Sequence, residues 1–522
     1  MGRIVEEKII RFDGGLSDDP RQPGFNGGSL VQHLDIYSSP YRLTPYRDSE
    51  ADTNTSVSAT DLEQYRVQDF QLGSNGTLYG LGRVAASALP KVFSKATTSG
   101  SGNWTVEATA EGTGALIRGC FIEWQSGWYM FSGTTSVSSW TIGSTFTNTV
   151  TGALGATITS VAQGVIGTDN NLYMFYNNRV VRVSSANVMA DNVFTAIPSD
   201  MRIVSACRWG SYLAIGCVYG TSNTAISSGR SQIYLWDYVT SATAYDIIDW
   251  GEGSLRVLGN VEGRLVGVSD KYLTNAIGAS RGSMVVRMWS GGVPQVMKEV
   301  VANQIVTADS GGLGAVVTRF PRSVVIKDNK MYWAASVPFG LSTSTESTFH
   351  LGIWCFGRKN INSDFSLTLE YIEEATSTSN FYINSIGNAG NYFFISHSLE
   401  SSGLVRKLND AANFTYTSIF DTQIINGGDS SLRKKLKGVT VYTVAQPAAG
   451  QTVLRYRINE ETSYTEIFTN TTNNSISQSA VTTAAGTTLP EFRELTLRVE
   501  STGGTEITGI KWRYEILDKD IY

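Results

Sequence analysis

Histidine is nearly absent from this chain: three in 522 residues, His33, His350 and His397. They stand far apart with no HxxxH or HExxH spacing, so neither a histidine zinc site nor a Ser-His-Asp relay has its parts. Cysteine is also scarce, at Cys120, Cys207, Cys217 and Cys355, without a CxxC pair. Cys207 and Cys217 straddle Gly210 almost symmetrically and are placed to face each other across a hairpin; free buried thiols in a reducing compartment are the plainer expectation. Charge is low, 17% of residues with a net of −5, which argues against a protein that seeks polyanions. No run of 18 apolar residues offers a helical membrane span. No apolar i, i+3, i+4 pattern is sustained, and Asp61–Tyr65 supports one helical turn at most. Met1–Lys8 lacks the apolar core of a secretory signal, and Glu6 breaks the myristoylation pattern, so the expectation is synthesis in a cytoplasm without export by its own signal. A GxxxxGK[ST] phosphate loop is missing, and Gly80-Leu81-Gly82 lacks the crossover helix of a dinucleotide fold.

What the chain has instead is glycine (52 residues), aromatics (11%) and a returning phrase. A Gly or Asn turn precedes a short aromatic strand at Asn75–Tyr79, Ser126–Phe131, Asp169–Phe175, Gly210–Ile215, Glu262–Val266, Asp328–Trp333 and Gly390–Ile395. Gly and Asn accept the positive φ of a tight hairpin, and aromatic or β-branched runs suit a pleated strand. The spacing is close to that of four-stranded propeller blades with uneven loop insertions. The expected fold is all-β: a β-propeller of about seven blades over 61–430, with six to eight compatible because 274–322 has room for one more.

Residues 1–60 read differently. Phe12–Arg21, Pro23, Gly27 and Gly28 form a turn-rich run, and Pro40 and Pro45 restrict the residues around them to extended conformations. This predicts an extended N-terminal arm that lies across the body or reaches a neighbour, ending in the polar stretch 48–60. From 431 to 522, Gly438–Val444, Val453–Ile458, Glu494–Val499, Ile507–Ile510 and Lys511–Ile516 alternate inward apolar with outward charged residues, which predicts a C-terminal β-sandwich. Thr469–Thr488 reads as an exposed, mobile loop.

For chemistry, carboxylates pair at Asp18-Asp19, Glu373-Glu374 and Glu460-Glu461, and Asp246, Asp249, Glu252 and Asp270 crowd one region; a glycosidase needs two such groups across a cleft. Turn and surface acids are the plainer reading, and no sialidase Asp-box recurs. The basic run Arg433-Lys434-Lys435-Leu436-Lys437 reads as a solvated strand edge, with an acidic or nucleic-acid partner as the other option. No catalytic, cofactor-binding or metal-binding residue is assigned, and no cofactor is expected.

The opening Phe12-Asp13-Gly14-Gly15-Leu16-Ser17-Asp18-Asp19-Pro20, the sandwich start Lys435–Tyr442 and the close Phe492–Val499 resemble β-propeller virion proteins of tailed bacteriophages, most nearly the tail nozzle proteins of short-tailed phages. The resemblance implies a structural protein without enzymatic activity, forming a homo-oligomeric and specifically hexameric ring below portal and adaptor proteins. It further implies passage of viral DNA, attachment of a needle or fibres, and residence in the virion after synthesis in the host cytoplasm. A mildly acidic, weakly charged conduit suits DNA passage, since each phosphate contact adds affinity. A receptor-binding tail protein for host glycan and a glycan-cleaving propeller are the alternatives.

Overall fold

A computed structural model describes the chain except for residues 1–2, 13, 16–27, 40, 48–49, 52–65, 84–90, 97–103, 110–119, 133–134, 145–149, 221–229, 240, 275–278, 302–305, 308–323, 339–348, 374–381, 391, 400–401, 409–413, 415, 460, 462 and 518–522. The described residues form strands and turns, without a helix. Two compact units result: Glu50–Leu351 with Glu373–Leu408, and Met1–Ser49 with Gly352–Ile372 and Asn409–Tyr522.

The first unit is a propeller of seven blades. Its inner strands are Arg66–Leu72, Phe121–Trp124, Val161–Ile166, Met201–Trp209, Ser254–Val261, Val324–Lys327 and Tyr382–Ala389. Each packs on the next, and the seventh packs on the first, so the ring closes. Every turn of the repeated phrase joins an inner strand to the second strand of its blade. Gln125 and Ser126, Glu262 and Gly263, and Asp328 and Asn329 all have positive φ, the backbone that matches strand twist in a two-residue hairpin. The region 274–322 holds no inner strand among its described residues; Ala279–Trp289, Gln295–Val301 and Val306–Thr307 belong to the fifth blade. Glu50–Ala51 pairs with Ser402–Leu408 as the outer strand of the seventh blade. A stretch that the sequence marks only as polar thus helps close the ring.

Inner strands of neighbouring blades are not joined by sheet pairing, and polar side chains join them instead. A β-bulge interrupts the inner strand between Val67 and Asp69, Ala162 and Val165, Ile203 and Ser205, Leu255 and Val257, and Ile383 and Ser385. A bulge re-aims the side chains beside it. Asp69 accepts from the Phe121 amide at 2.8 Å, Gln163 donates to the Ala206 carbonyl at 2.8 Å, Ser205 accepts from the Leu258 amide at 3.0 Å, and Ser385 donates to the Val67 carbonyl at 2.8 Å. Between these bonds, apolar clusters fill the gaps, for example Leu172, Met174 and Val181 with Phe131 and Cys120.

The second unit contains two sheets. One runs Ile4–Ile9, Ile507–Ile516, Lys434–Thr443, Ser477–Ala480, with Glu491–Phe492 beside Lys434. The other includes Ser366–Glu373, Gly28–Gln32, Ser418–Thr422, Leu495–Thr502, Gln451–Ile458 and Thr465–Asn470 in that order. Leu436, Val439, Leu454, Leu497, Val499, Ile510 and Tyr514 are buried in this unit. The domain boundaries expected at 60 and 430 differ from this division. The arm is extended, but its strands find partners among the C-terminal ones: Ile4–Ile9 on Ile507–Ile516, and Gly28–Gln32 on Ser418–Thr422. Leu43 exchanges both backbone hydrogen bonds with Ile507, at 2.9 and 3.1 Å. The loop expected over 469–488 carries a strand, Ser477–Ala480, and a Thr482–Thr488 bridge.

Candidate interaction surfaces

The residue types that could carry chemistry are dispersed. His33 is buried against Tyr46, Tyr371 and Tyr416, with centroids 5.6–6.5 Å from its ring, in a tyrosine-lined core. His350 and His397 lie on the separate strands Phe349–Gly357 and Tyr392–Leu399. Asp246, Asp249 and Glu252 lie on Asp246–Glu252, the fourth strand of its blade. Asp249 accepts from Arg230, while Glu252 faces Lys271 at 3.5 Å. Asp270 is buried on the next blade and bound to Arg256. Asp18, Asp19, Glu374 and Glu460 fall outside the described residues; Glu373 ends a strand and Glu461 is exposed. Among the described residues, no three His, Cys, Asp or Glu are placed to hold a metal ion. No helix there is long and apolar enough to cross a membrane.

The two hairpin cysteines do not meet. Cys207 pairs with Ala214 and Cys217 with Ile203, so they sit at different rungs. Cys217 enters the cluster with Phe194 and Tyr234, whereas Cys207 packs on that of Trp250 and Leu255, on the other side of the blade. Burial pushes the Cys207 thiol up to about 12 and the Cys217 thiol up as well. None of the four cysteines is in a disulfide. The thiolate is the reactive form, so native protein should react with Ellman's reagent at a small fraction of the unfolded rate, Cys207 leading. Mass mapping of labelled peptides checks the order; rapid labelling of Cys120, Cys217 or Cys355 in native protein would contradict the packing.

The basic run is not an edge. Lys434–Thr443 lies inside its sheet, between Ile507–Ile516 and the strands Ser477–Ala480 and Glu491–Phe492. Lys434 is fully buried, and its Nζ donates to the carbonyls of Asp429 at 2.6 Å, Leu432 at 2.8 Å and Arg493 at 3.5 Å. Desolvation lowers its pKa, opposed by Asp429, Glu494 and Glu7. Lys437 meets Glu515 at 2.9 Å and Arg433 meets Glu491 at 3.5 Å, so the run has acidic neighbours on its own sheet. Above it opens a cleft of ≈ 550 Å³ lined by Ser430, Arg433, Asn459 and Glu491–Glu494. With two arginines against two glutamates, it suits a dipolar or mixed-charge segment better than a polyanion.

On the propeller, the hairpin turns do more than reverse the chain. Trp124 donates to the Asn170 carbonyl at 3.2 Å, Trp209 to Gly263 at 2.6 Å and Lys327 to Gly390 at 3.0 Å. Each bond runs from the last residue of an inner strand to the turn of the following blade. The residue before the turn thus carries a latch that the repeated phrase does not include. Beside the Trp209 latch lies an aromatic row: Tyr245, 66% exposed, stacks on Tyr212 at 4.4 Å, and Tyr212 lies 6.2 Å from Trp209.

The strand pairing defines this class of protein: an all-β chain with a seven-bladed propeller. No family model matches the chain, and no curated protein matches it. Among solved structures, the WD40 β-propeller domain of Doa1 is similar at 9% identity and TM-score 0.38, covering 66% of this chain and 93% of that one. The β-propeller domain of the Trilobed protease from Pyrococcus furiosus gives 7% and 0.35, covering 66% and 95%. An exo-β-1,3-galactanase from Phanerochaete chrysosporium gives 10% and 0.30, covering 90% and 100%. At such distances these likenesses carry no inference about activity, and the propeller rests on its own strand pairing.

Proposed function

We propose that this chain is a structural, non-enzymatic subunit of a bacteriophage tail: a nozzle-type, homo-hexameric ring below portal and adaptor proteins that conducts DNA and carries a needle or fibres. The observation that supports the reading is the layout itself: N-terminal strands, a closed propeller and C-terminal strands in two sheets in one chain, which fits the order that the resemblance implies. The dispersal of the carboxylates supports a scaffold over a hydrolase. The pairing of basic with acidic residues supports a surface that lets DNA pass without holding it. Negative-stain images and mass photometry of the purified protein, alone and with the adjoining tail proteins of its phage, test this. Six-membered rings are expected; a monomer that neither assembles nor binds portal-adaptor complexes would overturn it.

The exposed Tyr245–Tyr212 stack favours one second reading, a tail protein that recognises host glycan, because a flat aromatic face suits sugar stacking. Glycan-array binding that disappears in Tyr245→Ala would select it over the scaffold.

A further inference from the structure

Ile4–Ile9 is the end strand of its sheet: it pairs with Ile507–Ile516 on one side and with no described strand on the other. The Arg3 carbonyl accepts from the Ile516 amide at 3.0 Å, which sets the phase of the ladder. Backbone groups of an antiparallel strand turn alternately to either side, so Val5, Glu7 and Ile9 also face Ile507–Ile516. The N–H and C=O groups of Ile4, Glu6 and Lys8 therefore point to the open edge. The side chains of these three residues are exposed, Ile4 by 63%, and Ile10 beyond them by 47%. Lys8 is poorly matched within its own sheet. It stands directly opposite Lys511, and Lys511 already meets Glu6 at 2.8 Å. Like charges directly opposite are destabilising.

An edge with charges of one sign repels a second copy of itself, which is how edges are ordinarily kept apart. This edge instead carries Glu6 and Lys8, opposite charges two residues apart on one face. When two copies lie antiparallel with Glu7 at the two-fold axis, Glu6 of each faces Lys8 of the other, and Ile4 faces Ile10. The outward backbone groups of Glu6 and Lys8 then meet as well. A slip of two residues in either direction sets Glu6 on Glu6 or Lys8 on Lys8, so the charges select one register. Glu7 meets its twin on the opposite face, but its oxygens accept from Trp512 at 3.1 Å and Tyr514 at 2.9 Å, within its own sheet. We infer that residues 4–10 are a self-complementary edge through which two copies of this chain join into one continuous sheet. The contact is isologous: it links chains two by two and does not by itself close a ring, so it does not depend on the proposed function. Seven residues per chain make a small contact, and the association is reversible.

Sedimentation equilibrium of the full chain at rising concentration tests this. Wild type should double in mass, from monomer to dimer, or from single to paired rings where rings form. Lys8→Glu puts a carboxylate opposite Lys511, which favours the strand's place on its own sheet. Between copies, however, it sets Glu6 against a second carboxylate at both rungs, and the doubling should weaken about tenfold. Glu6→Lys combined with Lys8→Glu reverses both signs and restores opposite charges at each rung. Within the chain it trades the Lys8–Lys511 mismatch for one at Arg513, which stands opposite Glu6, so the strand stays comparably held. Doubling should return in this double variant. Wild type that never doubles, Lys8→Glu that doubles as readily as wild type, or a double variant that stays undoubled would each overturn the inference.

Discussion

Replacing Asp270 with alanine should destabilise the propeller by about 3–5 kcal/mol, read from urea or guanidinium denaturation followed by tryptophan fluorescence. Asp270 Oδ2 accepts from Arg256 Nε at 2.8 Å, with 0% and 6% of the two side chains exposed. The bulge between Leu255 and Val257 takes Arg256 out of the ladder, and its guanidinium turns to the carboxylate of the adjacent strand. Removing the acid alone leaves a buried cation without its counter-charge, which is far more costly than the pair is stabilising. The double change Arg256→Met with Asp270→Leu removes both charges and should recover most of the loss. If Asp270→Ala costs under about 1 kcal/mol, water must reach Arg256 and the burial argument fails.

The hairpins were legible because their signal is local: two or three turn residues fix φ, and the strand after them announces itself by aromatic content. All seven fell at the same step of the blade, between inner and second strands. The ties between blades were not legible, because each joins residues distant in sequence. Asp69 reads as an ordinary acid until the fold brings Phe121 to it, 52 positions away. Glu50–Ala51 is too short to show alternation, and only its partner strand makes it a strand. Lys434 misleads by composition: four cations in five residues suggest a solvated edge, whereas three carbonyls receive this one inside the sheet. The arm's extended character is written in its prolines, but its partners in Ser418–Thr422 and Ile507–Ile516 lie almost a whole chain length away. The aromatic row likewise appears only once the fourth blade folds Tyr245 back onto Tyr212.

At the closure of the ring a single methyl group should have a large effect. Gly387 lies on the inner strand of the seventh blade, and a Cβ there would stand 2.5 Å from the Cβ of Phe70 on the first. Most crowded side chains relieve such an overlap by turning about χ1, but a Cβ is fixed to the backbone and has nowhere to turn. Gly387→Ala must therefore push the strands Tyr382–Ala389 and Arg66–Leu72 apart, and it should destabilise the propeller by about 1–3 kcal/mol or more. The strain falls where Ser385 donates to the Val67 carbonyl and where Phe70, Trp104, Phe394 and Val405 form one buried cluster. Hydrogen exchange should accelerate in those two strands before the other blades respond. A second-site test separates overlap from a general effect of glycine loss. Phe70→Ala keeps the offending Cβ, so it should not rescue Gly387→Ala and should add a loss of its own, about 3–5 kcal/mol for a buried phenylalanine. Alanine at Gly76 meets nothing within 4 Å, and its cost there comes only from the positive φ of 78°. Rescue of Gly387→Ala by Phe70→Ala, or unchanged exchange in the two strands, would show that the first and seventh blades meet less closely than their Cβ positions require.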